Sequence, residues 1–386
     1  MKRPLLIWAF CLLSSSSFGL SAEKGFVPLF KPNSLDGWVN ANCAPETWSI
    51  KDGVLHCTGK PTGAMRTARQ YENFILELEW RHMSPGGNSG VFIWGTPIAA
   101  PGVPFLRGIE VQVLDHGYNA KGKNEWYTTH GDVFPIHGAT MIPFGRHNGQ
   151  RSFPSGEHSK GSPEWNHYRI QCTNGVLRLS VNGTEVSGGE KCFYRKGYLA
   201  LESEGAPIEF RNAQIKELPA SGAPPEETAP EDIGFRTLFT GLDLRGWNTN
   251  ETTSTRWETQ GERLVLKEGP SGTGATLWTE THFEDAEFVV DCRPAKPKSG
   301  DPAVVPSVFI RGAKGKGHEV KLAGATPEKY SRFVVTVQNK TVAVTLDGKQ
   351  SARFELPAGT ASKGSFGLGD TGARTEFMNL YSRATH

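Results

Sequence analysis

The sequence predicts an all-β protein of two tandem sandwiches, each a pair of antiparallel sheets packed face to face as a jelly roll. Three observations predict it: period-2 alternation in run after run, a set of motifs that occurs twice in the same order, and the lack of any capped stripe of helical period. Alternation is plainest at 75–81, where Leu76, Leu78 and Trp80 share one face and Glu77, Glu79 and Arg81 the other. Ile109, Val111 and Val113 alternate with Glu110, Gln112 and Leu114. Residues 176–181 alternate too and end in Asn182-Gly183, a hairpin turn. The 45 glycines and 25 prolines suit the many turns such a fold needs.

The duplication rests on seven anchors. FKPNSLDGW at 30–38 matches FTGLDLRGW at 239–247, and WSIKDGVL at 48–55 matches WETQGERL at 257–264. FILE at 74–77 pairs with FVVD at 288–291, VFIWG at 91–95 with VFIRG at 308–312, and GIEVQ at 108–112 with GHEVK at 317–321. Arg169 with LSVNG at 179–183 pairs with Arg332 and VTLDG at 344–348, and FRN at 210–212 with FMN at 377–379. Between the copies, residues 219–233 are rich in Pro, Ala and Glu, too poor in large apolar residues for a core, and read as a linker. The expected units are 23–218 and 234–386.

The first 22 residues read as a signal peptide: Lys2 and Arg3, a short apolar run at 5–13, then small residues to Ala22. A secreted or periplasmic location is therefore expected. No later segment is apolar enough to span a bilayer. A net charge of +2 without a basic cluster argues against nucleic acid as a partner. Five cysteines remain after the leader (Cys43, Cys57, Cys172, Cys192 and Cys292), an odd number that fixes no pairing and fits buried thiols equally well.

These anchors resemble the 3-keto-disaccharide hydrolase family, also described as 3-keto-glucoside 1,2-lyase and 3-keto-2-hydroxyglucal hydratase domains. The resemblance is carried by FVPLFKPNSLDGW, WSIKDGVLHCTG, MRTARQYENFILELEWRHMSPGGNSGVFIWG, GIEVQVLD, EWNHYRI and GYLALESEGAPIEFRNAQIKEL, which span nearly all of 25–218. It implies a concanavalin A-like jelly roll and a carbohydrate partner, an oxidised disaccharide or glycoside. The implied reaction removes the acidic C2 hydrogen beside a 3-ketone and expels the C1 substituent. Water then adds to the resulting glucal. Such chemistry needs a base, an acid and donors for the enolate oxygen.

Glu110 and Gln112 lie two apart on one strand face. Alternation alone makes that a polar solvent face; the resemblance places it in the concave groove, with Glu110 in the proton transfers. Asp115 closes the same strand, where a turn-forming Asp is equally expected. The loop at 127–139 gathers His130, Asp132 and His137, and histidine suits proton transfer near neutrality; an ordered loop with hydrogen-bonded histidines is the plainer alternative. His137 is a second candidate for proton transfer. With Asp115, these loop residues also offer ligands for a divalent metal ion, at a spacing that matches no closed zinc motif. Glu202 and Glu204 share a face, and two carboxylates in one groove would raise one pKa and make Glu202 an acid. Arg66, Arg81, Asn88 and Trp94 are expected to position the sugar, although Trp94 also reads as plain core. In the second copy Glu319 persists, while Lys321, Gly324, Gly369 and Thr371 stand where the first has Gln112, Asp115, Glu202 and Glu204. A lectin-like binding protein and a conventional glycosidase remain the rival readings.

Overall fold

The computed structural model describes residues 24–121, 130–271, 274–300 and 302–385. The expected leader and part of the 127–139 loop lie outside these. The first sandwich pairs two sheets. The larger runs in the order Thr140–Pro143, Thr184–Phe193, Val176–Val181, Asn166–Thr173, Phe74–His82, Ile208–Glu217, Val54–Cys57, Trp48–Lys51. The smaller runs Trp38–Asn40, Gly63–Thr67, Tyr198–Ser203, Asn88–Gly95, Gly108–Leu114, Val133–Ile136. Every pairing in both is antiparallel. The alternating residues do what their period dictates: Leu76, Leu78 and Trp80 meet Ile109, Val111 and Val113 in one core.

The second sandwich repeats this order with two edge strands fewer among the described residues. Its larger sheet runs Trp257–Gln260, Arg263–Leu266, Thr375–Ala384, Ala286–Pro294, Ser331–Gln338, Thr341–Leu346, Lys349–Glu355. Its smaller runs Trp247–Asn248, Leu277–Phe283, Gly364–Leu368, Ser307–Ala313, Lys316–Lys321. Among the described residues it lacks counterparts of Thr140–Pro143 and Val133–Ile136, so Lys316–Lys321 is an open edge. One short helix, Glu251–Arg256, is capped by Asn250. No described helix is long and apolar enough to cross a membrane. All five described cysteines are buried free thiols.

The segment joining the sandwiches is not a loose tether. Several of its backbone groups and the half-buried Asp232 are bound by the first sandwich. Arg66 reaches Asp232 at 2.7 Å, the Tyr198 hydroxyl accepts from the Asp232 N–H at 2.8 Å, and Gln70 donates to the Ala229 carbonyl at 2.7 Å. A composition without large apolar residues precludes a core but leaves backbone groups that must still be satisfied. Next to it, the loop at 96–107 docks on the larger sheet of the second sandwich. There Asp291, fully buried, accepts from Arg332 at 2.7 Å, from Asn379 at 2.8 Å and from the Gly102 N–H at 2.9 Å. Asn379 also donates to the Ala100 and Val103 carbonyls. A cleft of about 770 Å³ beside this contact is lined by Gly102, Arg293, Tyr330 and Arg332.

Candidate active site

The outer face of the smaller sheet in the first sandwich carries the candidate site. Three strands supply it: Asn88–Gly95 at the centre, Tyr198–Ser203 on one side and Gly108–Leu114 on the other. Gly90 pairs with Gln112, Phe92 with Glu110, and Val91 with Leu201. Glu202 and Gln112 therefore flank Gly90 on neighbouring strands, with roughly 4.8 Å per strand step. Glu110, one pair along, leans into the gap. A methyl at Gly90 would lie 2.8 Å from Glu110 Oε1 and 3.0 Å from its Cγ. The missing side chain is the notch that lets two carboxyl groups approach each other.

A polar frame surrounds the notch. Asn88 donates to Glu204, and Gln112 donates to Asn88 Oδ1 at 2.8 Å. Arg151 donates to Asp132 at 2.9 Å and reaches Gln112 Oε1 at 3.4 Å, its guanidinium lying 3.3 Å over the Phe134 ring. Glu202 is 1% exposed and Glu110 7%. Burial, then the Glu204 charge, pushes the Glu110 pKa up to about 8, against the pull of Arg151. Burial, then Glu110 and Glu204, pushes Glu202 well above the usual carboxylate range. Burial raises Glu204 as well, with a hydrogen bond from Glu202 opposing it. Glu202 Oε2 is buried with no hydrogen-bond partner among the described residues. Both shifts run in the same direction, toward the neutral acid, and two buried carboxyl groups with raised pKa values in one notch are an arrangement in which proton transfer near neutrality is chemically feasible.

The structure thus brings together Glu110, Gln112, Glu202, Glu204, Asn88 and Asp132. It separates the others. Trp94 is fully buried in the core, donating to the Glu72 carbonyl at 2.9 Å. A bulge at this strand's end, with Trp94 at φ 54°, reverses the parity that alternation implies. Arg81 lies on the larger sheet, where it pairs with Glu209 at 2.6 Å and covers Trp165. Arg66 is buried on the groove side, but its guanidinium is consumed by Asp232 and the Pro97 and Thr67 carbonyls. His137 stacks on Phe105 and lines a second cleft of about 430 Å³ with Arg107, Ile233, Phe235 and Arg332.

Asp115 is a turn former. Burial alone would raise its pKa, but the N–H groups of Gly86, Gly117 and Ser162 all donate to its carboxylate and hold it below the usual value. His130 is buried against Ser159 and Glu157, and burial lowers its pKa to about 4. The expected metal set of Asp115, His130, Asp132 and His137 therefore does not assemble. Sequence reasoning passed over Gly90 and Arg151. Both act across strands or from a loop, where period-2 reading is blind; the Gly in the run NSGVFIWG was the one available signal.

Among solved structures, the chain is similar to two glycosyl hydrolase candidates from Parabacteroides distasonis. One is 20% identical, covering 50% of this chain and 95% of that one at a TM-score of 0.41. The other is 24% identical, covering 50% and 99% at 0.36. It is also similar to the carbohydrate-binding module CBM66 from Bacillus subtilis, 12% identical, covering 47% and 96% at 0.34. No curated protein sequence matches the chain. Residues 25–216 match the profile of the 3-keto-alpha-glucoside-1,2-lyase-like domain, and the first sandwich is a domain of that family.

Proposed function

We propose that the first sandwich, in an exported protein, cleaves 3-keto-glycosides by elimination across C1–C2. Ionised Glu110 takes the C2 hydrogen as a proton. The electron pair left on C2 delocalises onto the C3 ketone oxygen, giving an enolate. The enolate re-forms the ketone, the C1–O bond breaks, and the departing oxygen takes a proton from Glu202. The product is the unsaturated 2-hydroxyglucal ketone; adding water across its double bond gives the free 3-keto sugar.

The observation that supports this most is the Glu110–Glu202 pair over the Gly90 notch, both carboxyls buried and both raised. A conventional glycosidase needs one carboxylate firmly ionised to act as nucleophile or to hold a water. Neither of these two is. A base with a pKa near 8 instead suits a C2 hydrogen made acidic by the neighbouring ketone. Gln112 and Asn88 are positioning residues, holding Glu204 and Arg151 around the notch.

The test is to incubate the purified chain with a 3-keto-glucoside and with the same glycoside unoxidised. Glucal or 3-keto-glucose should appear from the first alone. Equal rates would show an ordinary glycosidase; binding without turnover would show a lectin.

A further inference from the structure

Beyond the strand that carries Glu110, three segments converge: the turn after Asp115, the residues at 130–131, and the loop at 157–159. His116, His130 and Glu157 each present one ligand atom there, all within 4.8 Å of one another. His116 Nε2 lies 3.2 Å and His130 Nε2 2.8 Å from the same Glu157 oxygen. His130 is 1% exposed, and its Nε2 makes no hydrogen bond of acceptable geometry among the described residues, despite that short approach. Although His116 Nε2 and the Glu157 oxygen also reach the Ser159 hydroxyl, two imidazole nitrogens and a carboxylate oxygen packed this closely around an unsatisfied Nε2 are spaced as ligands of one ion are.

We infer that His116, His130 and Glu157 form a divalent metal site for a zinc-class ion, separate from the Glu110–Glu202 notch. Two His and one Glu form a donor set that suits Zn²⁺ or Co²⁺ better than the all-oxygen preference of Ca²⁺ or Mg²⁺. Ser159 completes it. Its hydroxyl lies 2.6 Å from His130 Nδ1, where it can accept that N–H and leave the Nε2 lone pair for the ion. The same hydroxyl lies 2.5 Å from His116 Nε2 and 3.3 Å from Glu157. Glu157 is half exposed, which gives an ion a way in from solvent. The bound ion would clamp the 157–159 loop to the end of the Glu110 strand.

The full chain, stripped with a chelator and dialysed, is titrated with Zn²⁺ and with Co²⁺ alone. One equivalent should bind, Co²⁺ should show the visible band of a four- or five-coordinate ion, and the melting temperature should rise. Glu157→Gln and His116→Gln, both at partly exposed positions, should weaken binding by tenfold or more while leaving the stripped protein folded. His147→Gln, outside the cluster, should leave it unchanged. No saturable binding, or binding equally tight in Glu157→Gln and His116→Gln, would overturn the site.

Discussion

The two sandwiches share a strand order but invert the same small piece of chemistry. In the first, Gly90 is empty space between Glu110 and Glu202. In the second, the equivalent of Gly90 is Ser307 and the equivalent of Glu202 is Gly369, and a methyl on that glycine would lie 2.3 Å from the Ser307 hydroxyl oxygen. Glu319 keeps the register of Glu110, pairing with Phe309 as Glu110 pairs with Phe92. It is exposed, because no strand covers the outer edge of Lys316–Lys321. A carboxylate in water keeps its ordinary chemistry; one walled in by Phe134, Arg151 and a second acid does not. The difference teaches that the fold supplies the position, while the covering strand and the missing side chain supply the reactivity.

The largest expected effect follows from exchanging that reactivity for shape. Glu110→Gln should lower turnover of a 3-keto-glucoside by about 10²- to 10⁴-fold, the usual worth of a general acid or base. Glu319→Gln should leave it unchanged, as steady-state assays of both variants would reveal. Gly90→Ala comes next. Its φ is not in the left-handed region, so the backbone tolerates alanine, but Glu110 must move. A loss of about 10- to 100-fold in kcat/KM is expected for such a displacement, with little change in melting temperature.

The pH dependence sharpens the comparison further. If Glu110 acts ionised, kcat/KM should rise about tenfold per unit below pH 8 and level off above it. Stability should move the opposite way. The folded-state pKa is raised, so the protonated form's stabilisation is full below the unfolded value near 4.5 and is lost as pH rises through about 8. Wild type should therefore lose melting temperature between pH 5 and 9 more steeply than Glu110→Gln; parallel curves would place Glu110 in an ordinary environment.

The interface gives the smallest effect on chemistry. Asp291→Ala leaves Arg332 without its buried partner and should cost about 3–5 kcal/mol of stability, measured by denaturant unfolding. Activity per folded molecule should be retained, since Asp291 contacts the 96–107 loop rather than the notch.

Much of the fold was legible because strands write their period into the sequence. Leu76, Leu78 and Trp80 faced the core as alternation required, and so did Ile109, Val111 and Val113. The site was half legible for the same reason. Glu110 with Gln112, and Glu202 with Glu204, share faces at i and i+2. Trp94, open in the sequence between sugar contact and core, belongs to the core because a bulge breaks parity without a sequence mark; Arg311 sits at the same left-handed position in the second copy. Arg81 was misplaced because alternation gives a face but not which of two sheets presents it. The sequence contained His116 and Glu157, but only loop folding brings them to His130.

The central claim is that bond cleavage begins at C2. Cleaving a 3-keto-glucoside in D₂O, followed promptly by NMR against an enzyme-free control, tests it directly. Elimination and rehydration predict released 3-keto-glucose carrying deuterium at C2, formed at the rate of cleavage and abolished in Glu110→Gln. Product that keeps its C2 hydrogen while the glycosidic bond breaks would contradict the account.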